Sequence, residues 1–182
     1  TDDLGSRNVS VGTEALSDMN FATATDSYNT AVGDQAGKRI TTGVQNTLVG
    51  ALAGDALTDA DFNVAVGMQA LTADTLGSKS TAMGFFALGS QNFTTATDSN
   101  NTAVGYSAGS AVTTGIQNTI LGGLAGSSIT TGINNVIIGK GAGDALTDAD
   151  YNVALGTDAL GADTKGSSSV ALGDQALLNQ NF

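Results

Sequence analysis

The residues best suited to chemistry in this chain are aspartates that recur at short spacing in two matching segments. Residues 55–61 read DALTDAD and contain Asp59 and Asp61, and residues 144–150 repeat the segment with Asp148 and Asp150. Clustered carboxylates suit Ca²⁺, which takes about six to eight oxygen ligands. The spacing matches neither an EF-hand loop nor the Gly-rich repeat of calcium-binding β-rolls. We therefore expect solvated turns in which Asp caps backbone N–H groups, with bound calcium as the alternative.

Other chemistry is narrowly limited by composition. The 182 residues include no Cys and no His, which excludes thiolate and imidazole catalysis, zinc and haem ligation through those side chains, and disulfides. Paired carboxylates can cleave glycosidic bonds, but an active site usually interrupts a pattern, and these acidic segments are copied. We predict that the protein is not an enzyme and needs no cofactor other than the calcium already considered.

The charge balance restricts the partners. Six Lys and Arg residues stand against 17 acids, for a net charge of −11, and the cations form no stripe. Such a surface repels phosphate backbones and anionic lipids, so we expect no nucleic-acid partner. No apolar run approaches the roughly 18 to 20 residues that span a bilayer, so we expect no membrane insertion.

A repeat covers the chain and determines the expected fold. Its ten copies begin 17 or 21 residues apart. They start at Asn8, Asn29, Asn46, Asn63, Ser80, Asn101, Asn118, Asn135, Asn152 and Ser169. A unit of 17 residues is too short for a helical hairpin repeat, which needs more than about 30, whereas short strands and turns fit. The sequence predicts an all-β parallel β-solenoid, or β-roll, of ten coils as a single domain over residues 1–182.

Columns of the repeat predict the interior. A Gly occurs four residues after each start, and we expect positive φ at these structural corners, including Gly33, Gly50, Gly67, Gly105, Gly122 and Gly139. The residue before each Gly is always apolar, as in Val104, and a second apolar column contains Ile40 and Leu57. We expect both columns to point inward, and the Asn column to form a hydrogen-bonded ladder.

The same pattern predicts two strands in each coil. The first would run through blocks such as 46–50, and the second through segments such as Ile40–Thr42. The 21-residue steps insert four residues at one corner, so 20–28 and 92–100 should form protruding loops. Aromatic residues lie near corners or at variable positions, where contacts between neighbouring chains are the favoured role and receptor binding is the alternative. These are Phe62, Phe85, Phe86, Tyr106, Tyr151 and Phe182.

One block resembles a known class of repeats. Residues 101–109 read NTAVGYSAG and are followed by Thr113-Thr114-Gly115 and then Asn118-Thr119. This pattern resembles repeats of phage tail-fibre-like and bacterial surface proteins, and more distantly the heads of YadA-type trimeric autotransporter adhesins. The resemblance implies a left-handed β-roll, three chains around one axis, and a location outside the cell or on a virion.

These observations predict a structural role. We expect a segment of an extracellular or virion fibre that is homotrimeric and presents corner loops to a host receptor or glycan. The chain length equals a whole number of repeats, so the alternative is an extracellular filament subunit that stacks head to tail on copies of itself.

Overall fold

The computed structural model describes residues 4–180 and contains no helix within that range. The strands are short, because the chain must turn within each 17- or 21-residue coil. They are β1 Gly5–Ser6, β2 Val9–Val11, β3 Thr25–Asp26, β4 Thr30–Val32, β5 Thr47–Val49, β6 Val64–Val66, β7 Gly77–Ser78, β8 Thr81–Met83, β9 Thr97–Asp98, β10 Thr102–Val104, β11 Thr119–Leu121, β12 Val136–Ile138, β13 Val153–Leu155 and β14 Val170–Leu172.

The ten three-residue strands form one parallel sheet with coil-to-coil order β14-β13-β12-β11-β10-β8-β6-β5-β4-β2. Each strand pairs with its counterpart in the next coil, so that Thr47 lies beside Thr30 on one side and Val64 on the other. Neighbouring strands in a sheet are spaced by about 4.8 Å. The chain is therefore a β-solenoid of ten coils, and the predicted fold class is confirmed.

The prediction of a second strand in each coil, through segments such as 40–42, is wrong. Residues 40–42 form no strand, and Thr41 N donates to Thr58 O at 2.9 Å as part of a bend. The preceding turns alternate left-handed residues such as Gln35 and Gly37 with right-handed ones. This alternation directs some N–H groups along the rod, as where Gly37 N donates to Ala53 O at 2.9 Å. Backbone hydrogen bonds therefore join the coils on this side without a continuous sheet.

The corner after each strand requires glycine. The ten corner glycines have φ between +123° and +143°, a region that residues with a Cβ rarely adopt. A Cβ at Gly50 would also lie only 2.6 Å from the backbone of Gly67 in the next coil. Stacking thus demands glycine for space as well as for conformation.

The core is a narrow column of small and aliphatic side chains. From the second coil onward the middle residue of each three-residue strand is buried, and Ala31, Leu48 and Ile120 are inaccessible to solvent. The predicted inward column that includes Ile40 and Leu57 is confirmed, since both are inaccessible to solvent. The predicted inward column before the corner glycine is wrong. Val104, its member in the sixth coil, is 37% exposed because strand side chains alternate and Ala103 takes the inward place.

The Asn ladder is confirmed. Asn63 N donates to Asn46 Oδ1 at 2.9 Å, and Asn46 Nδ2 donates to Ala60 O at 2.7 Å within its own coil. Both side chains are fully buried, so each amide satisfies backbone groups that water cannot reach. The ladder fixes the vertical alignment of the coils.

Ser80 interrupts this ladder, and a buried polar cluster replaces it. Gln91 Nε2 donates to Asp74 Oδ2 at 2.6 Å and to Ser80 Oγ at 2.8 Å, while Asn101 Nδ2 donates to Gln91 Oε1 at 2.9 Å. Asp74 Oδ1 accepts from two backbone N–H groups, both at 3.0 Å. The cluster lies where a 17-residue coil meets a 21-residue coil.

The two longer coils carry the expected loops. Residues 22–24 and 94–96 are exposed, whereas Phe21 and Phe93 before them are buried and anchor the loops. A two-residue strand then returns each loop to the rod, where Asp98 pairs with Lys79 at 2.6 Å and Asp26 with Arg7 at 3.1 Å.

Candidate functional site

The most distinctive surface is the outer face of the ten-stranded sheet. The first and third residues of each three-residue strand point outward, and they form two columns along the rod. The third-residue column comprises Val11, Val32, Val49, Val66, Met83, Val104, Leu121, Ile138, Leu155 and Leu172, and the first-residue column comprises only Val and Thr. Many of these side chains are at least one third exposed, including Val136, Val153 and Leu155. We call these two columns the sheet face.

The sheet face carries no charge. None of its twenty side chains in the ten described strands is ionisable, although the chain has 17 acidic residues. A large exposed apolar patch on a soluble domain marks an interaction site. The acidic residues of the described range lie outside the ten-stranded sheet, so the sheet face is also where two copies can approach with least repulsion.

An aromatic patch lies beside the sheet face at one level of the rod. The rings of Phe85 and Tyr106, in neighbouring coils, stack with centroids 5.4 Å apart and planes 15° apart. Phe86 lies 6.2 Å from Phe85, and Met68 is the equivalent of Phe85 in the preceding coil. Phe85 and Tyr106 are exposed and Phe86 is half-buried, so the structure brings three of the predicted contact aromatics together.

The other predicted aromatics lie elsewhere. Phe62 and Tyr151 each precede an Asn of the ladder and adopt left-handed φ of 60° and 58°. They are 47% and 58% exposed, and the ring contacts found among the described residues, which join Phe85, Phe86 and Tyr106, include neither of them. Left-handed φ is uncommon for bulky residues. Phe182 lies outside the described residues.

The carboxylates of the acidic corners accept hydrogen bonds from backbone N–H groups and from Thr hydroxyls. Asp61 Oδ1 accepts from Val44 N and Asp150 Oδ1 accepts from Ile133 N, both at 2.8 Å. Asp59 Oδ1 accepts from Thr42 Oγ1 at 2.6 Å, and Asp148 Oδ1 from Thr147 Oγ1 at 3.0 Å. Each corner therefore ties its Asp residues to the neighbouring coil or to its own turn.

The surroundings of Asp61 favour the protonated form of its carboxyl. Burial raises the pKa of the Asp61 carboxyl above its ordinary value, and the charges of Asp59 and Asp98 raise it further, while the hydrogen bond from the Val44 N–H opposes this shift. Across residues 4–180, no group of three or more carboxylates could hold a metal ion. Calcium binding at Asp59, Asp61, Asp148 and Asp150 stays a prediction.

The described residues form no pocket for a small molecule, and no helix among them is long and apolar enough to cross a membrane. No family model, curated protein or solved structure matches the chain. The buried cluster of Asp74, Ser80, Gln91 and Asn101 was not predicted, although Ser80 in a column of Asn residues signalled it. Because the cluster is inaccessible to solvent, its role is structural, and the exposed sheet face remains the candidate functional surface.

Proposed function

We propose that the chain is a structural and adhesive segment of an extracellular or virion fibre, in which copies pack side by side through the sheet face. The observation that supports this most is that the face is uncharged over all ten coils and apolar except for its Thr residues. Packing it against a second copy would remove apolar side chains such as Val153 and Leu155 from water, which is favourable in proportion to the area covered.

A second copy of the chain suits this face better than an unrelated protein. The outward side chains repeat at the spacing of strands in a sheet, about 4.8 Å, and a partner with the same repeat can match them along the whole rod. Chains with a net charge of −11 repel one another, but the sheet face itself adds no repulsion. Three chains around one axis, in left-handed rolls, is the arrangement that the family resemblance implies.

Attachment is assigned to the loops of the two longer coils. Residues 22–24 and 94–96 are exposed and stand outside the regular coil, and surface loops on a rigid scaffold commonly carry binding functions. We propose that they present contacts to a surface receptor or glycan, while the solenoid supplies length and stiffness. The role requires no catalysis and no nucleic-acid partner.

Electron microscopy of the purified protein, combined with sedimentation velocity, tests this proposal. We expect discrete rods of fixed length whose mass is a small multiple of 17.9 kDa. Particles with the mass of one chain at every concentration would refute packing through the sheet face. Fibres that grow without limit would instead favour the alternative, a filament subunit that stacks head to tail.

A further inference from the structure

A second surface, separate from the sheet face, has a symmetric sequence along the rod. It consists of the residue that follows each corner glycine, and we call it the corner column. In coil order its members are Thr13, Asp34, Ala51, Met68, Phe85, Tyr106, Gly123, Lys140, Thr157 and Asp174. All ten are exposed or half-exposed, so the column is available to a partner.

The centre of the corner column is apolar. Met68, Phe85 and Tyr106 occupy three successive coils and are 49%, 37% and 60% exposed. Phe85 stacks on Tyr106, and Met68 occupies the same repeat position in the coil before Phe85, so three exposed apolar side chains follow one another along the column. Exposed aromatic and Met side chains are enriched at protein interfaces.

Going outward from Phe85, residues at equal distances are complementary. Met68 corresponds to Tyr106, and the small residue Ala51 corresponds to the small residue Gly123. One coil further, the anion Asp34 corresponds to the cation Lys140. Thr13 and Thr157 complete nine coils, and Asp174 lies beyond the symmetric span.

The charged pair determines which direction a partner must run. Asp34 and Lys140 are both exposed, and neither takes part in the three salt bridges found among the described residues. A parallel copy in the same register would place Asp34 against Asp34 and Lys140 against Lys140. An antiparallel copy centred on Phe85 would place each Asp34 opposite a Lys140.

The neighbouring column has the same symmetry in its apolar residues. The residues that follow Ala51, Phe85 and Gly123 are Leu52, Phe86 and Leu124. Leu124 is 43% exposed, and Leu52 and Phe86 are half-exposed. An antiparallel copy would therefore place Leu52 opposite Leu124 and Phe86 opposite Phe86, which adds apolar contacts on both sides of the centre.

The same column contains one like-charge correspondence, at its ends. Glu14 and Asp158 follow Thr13 and Thr157, so an antiparallel copy would bring these two acids to the same level. Glu14 is already paired with Lys38 of its own chain at 2.6 Å, which offsets its charge. The outermost coils therefore contribute least to the pairing.

We propose that the corner column is a self-complementary interface through which two copies of the chain pair antiparallel about a two-fold axis at Phe85. In a two-fold interface the same surface serves both partners, so every favourable contact occurs twice. The match in spacing is automatic, because both partners have the same coil-to-coil repeat. This inference goes beyond the proposed function: it uses another surface and would join fibres, or chains, of opposite direction.

Cysteine cross-linking tests the direction directly, because the chain has no native Cys. We would prepare Ala51→Cys and Gly123→Cys separately. An added Cβ at Gly123 meets nothing within 4 Å, so the substitution is tolerated. Upon mild oxidation we expect little dimer from either variant alone and a disulfide-linked dimer from their mixture. The matched control mixes Ala51→Cys with Thr157→Cys, which lies two coils away from the required level and should not cross-link.

Two results of this experiment would overturn the proposal. Dimers formed by either variant alone would show parallel pairing, and a mixture no more reactive than the Thr157→Cys control would show no pairing. The experiment is repeated in a Val153→Glu background, which alters the sheet face but not the corner column. Persistence of the cross-link there separates this interface from the one in the proposed function.

Charge exchange provides a second test by sedimentation equilibrium in the Val153→Glu background. We expect Asp34→Lys to weaken pairing by about tenfold or more, because position 34 of each copy would then present a positive charge to Lys140 of the other copy. The double variant Asp34→Lys with Lys140→Asp restores both opposite-charge pairs and should return the affinity to within about threefold of the parent. Equal affinities for parent and single variant, or failure of the double variant to recover while its thermal unfolding is unchanged, would contradict the proposed charge pairing.

Discussion

A Cβ at Gly54 would lie 2.8 Å from Cδ1 of Leu57, so the side chain of Leu57 fills the space beside Gly54. These two positions are three residues apart, and every coil has one of two combinations there. Five coils combine Gly at the first position with a branched aliphatic residue at the second, namely Gly37/Ile40, Gly54/Leu57, Gly109/Val112, Gly126/Ile129 and Gly143/Leu146. The other five combine Leu at the first position with Met, Asp or Gln at the second, namely Leu16/Met19, Leu71/Asp74, Leu88/Gln91, Leu160/Asp163 and Leu177/Gln180. This part of each coil accommodates one branched aliphatic side chain, from either position.

Replacing Gly54 with Leu should therefore overfill the core. Leu71 has the same φ of +56° as Gly54, so the backbone at this position accepts Leu, and the cost comes mainly from the clash with Leu57. We expect Gly54→Leu to lower the free energy of unfolding by about 3 kcal/mol in urea denaturation. Gly54→Leu with Leu57→Met copies the pair of the first coil and should recover part of the loss. A double variant no more stable than Gly54→Leu would contradict this account.

The Asn ladder predicts a large cost for removing one buried amide. Asn118 Oδ1 accepts from Asn135 N and Nδ2, both at 3.0 Å, and Asn118 Nδ2 donates to Gly132 O at 2.9 Å. Asn118→Ala leaves the buried Asn135 N–H and the Gly132 carbonyl without these partners, while Asn135 Nδ2 keeps its hydrogen bond to Ala149 O. The loss should cost about 3 kcal/mol. Thermal unfolding by circular dichroism measures the loss. Asn20→Ala, at an exposed site, is the matched control, and equal effects of the two substitutions would contradict the ladder's role.

Sequence periodicity predicted the solenoid and the buried Asn column because stacking forces each position to meet its own kind. It assigned the column of Val104 to the interior because larger apolar residues are usually buried. The structure places small Ala103 inside instead, since the strand is only three residues long and its neighbours must point outward. The resulting sheet face, which is the candidate functional surface, was therefore missed.

The turns were harder to predict than the strands. Thr pairs such as Thr41-Thr42 favour strands by propensity, yet the chain there must bend within a few residues to return to the sheet. Left-handed φ at residues such as Gln35 and Leu71 depends on hydrogen bonds to adjacent coils, which composition does not reveal. The cluster around Gln91 likewise depends on the meeting of coils of unequal length.

Asp144 should give a pH-dependent contribution to stability. Burial raises the pKa of its carboxyl above the ordinary value of 3.8, and the charge of Asp158 raises it further. The protonated form is favoured in the folded state, so this contribution is fully present below pH 3.8 and is lost as pH rises through the folded-state pKa. Asp144→Asn should therefore raise the melting temperature at pH 7, by about 2 °C, and have little effect near pH 3.

Asp55 is the matched control for this change, because it occupies the same place in the other copy of the acidic segment. It accepts from Thr72 Oγ1 at 2.5 Å, whereas Gly161 stands at the equivalent place beside Asp144. Asp55→Asn should bring no gain at pH 7, since it weakens that hydrogen bond. Equal gains from both substitutions, or a larger gain for Asp144→Asn at pH 3 than at pH 7, would contradict this interpretation.

The sheet face is the basis of the proposed function, and one substitution can test it without disturbing the core. Val153 points outward from its strand and is 37% exposed, so Val153→Glu introduces a charge into the face while the inward Ala154 is unchanged. Thr131→Glu adds the same charge at an exposed position outside the face. Circular dichroism and melting temperature should show that both variants fold as the parent does.

Sedimentation equilibrium of these three proteins is the most direct test of packing between copies. We expect the parent chain and Thr131→Glu to sediment as oligomers of the 17.9 kDa chain, and folded Val153→Glu to dissociate toward smaller species because each copy would bury an unpaired carboxylate. A parent chain that sediments as a monomer, or a folded Val153→Glu that associates as strongly as Thr131→Glu, would contradict the proposed role of the sheet face.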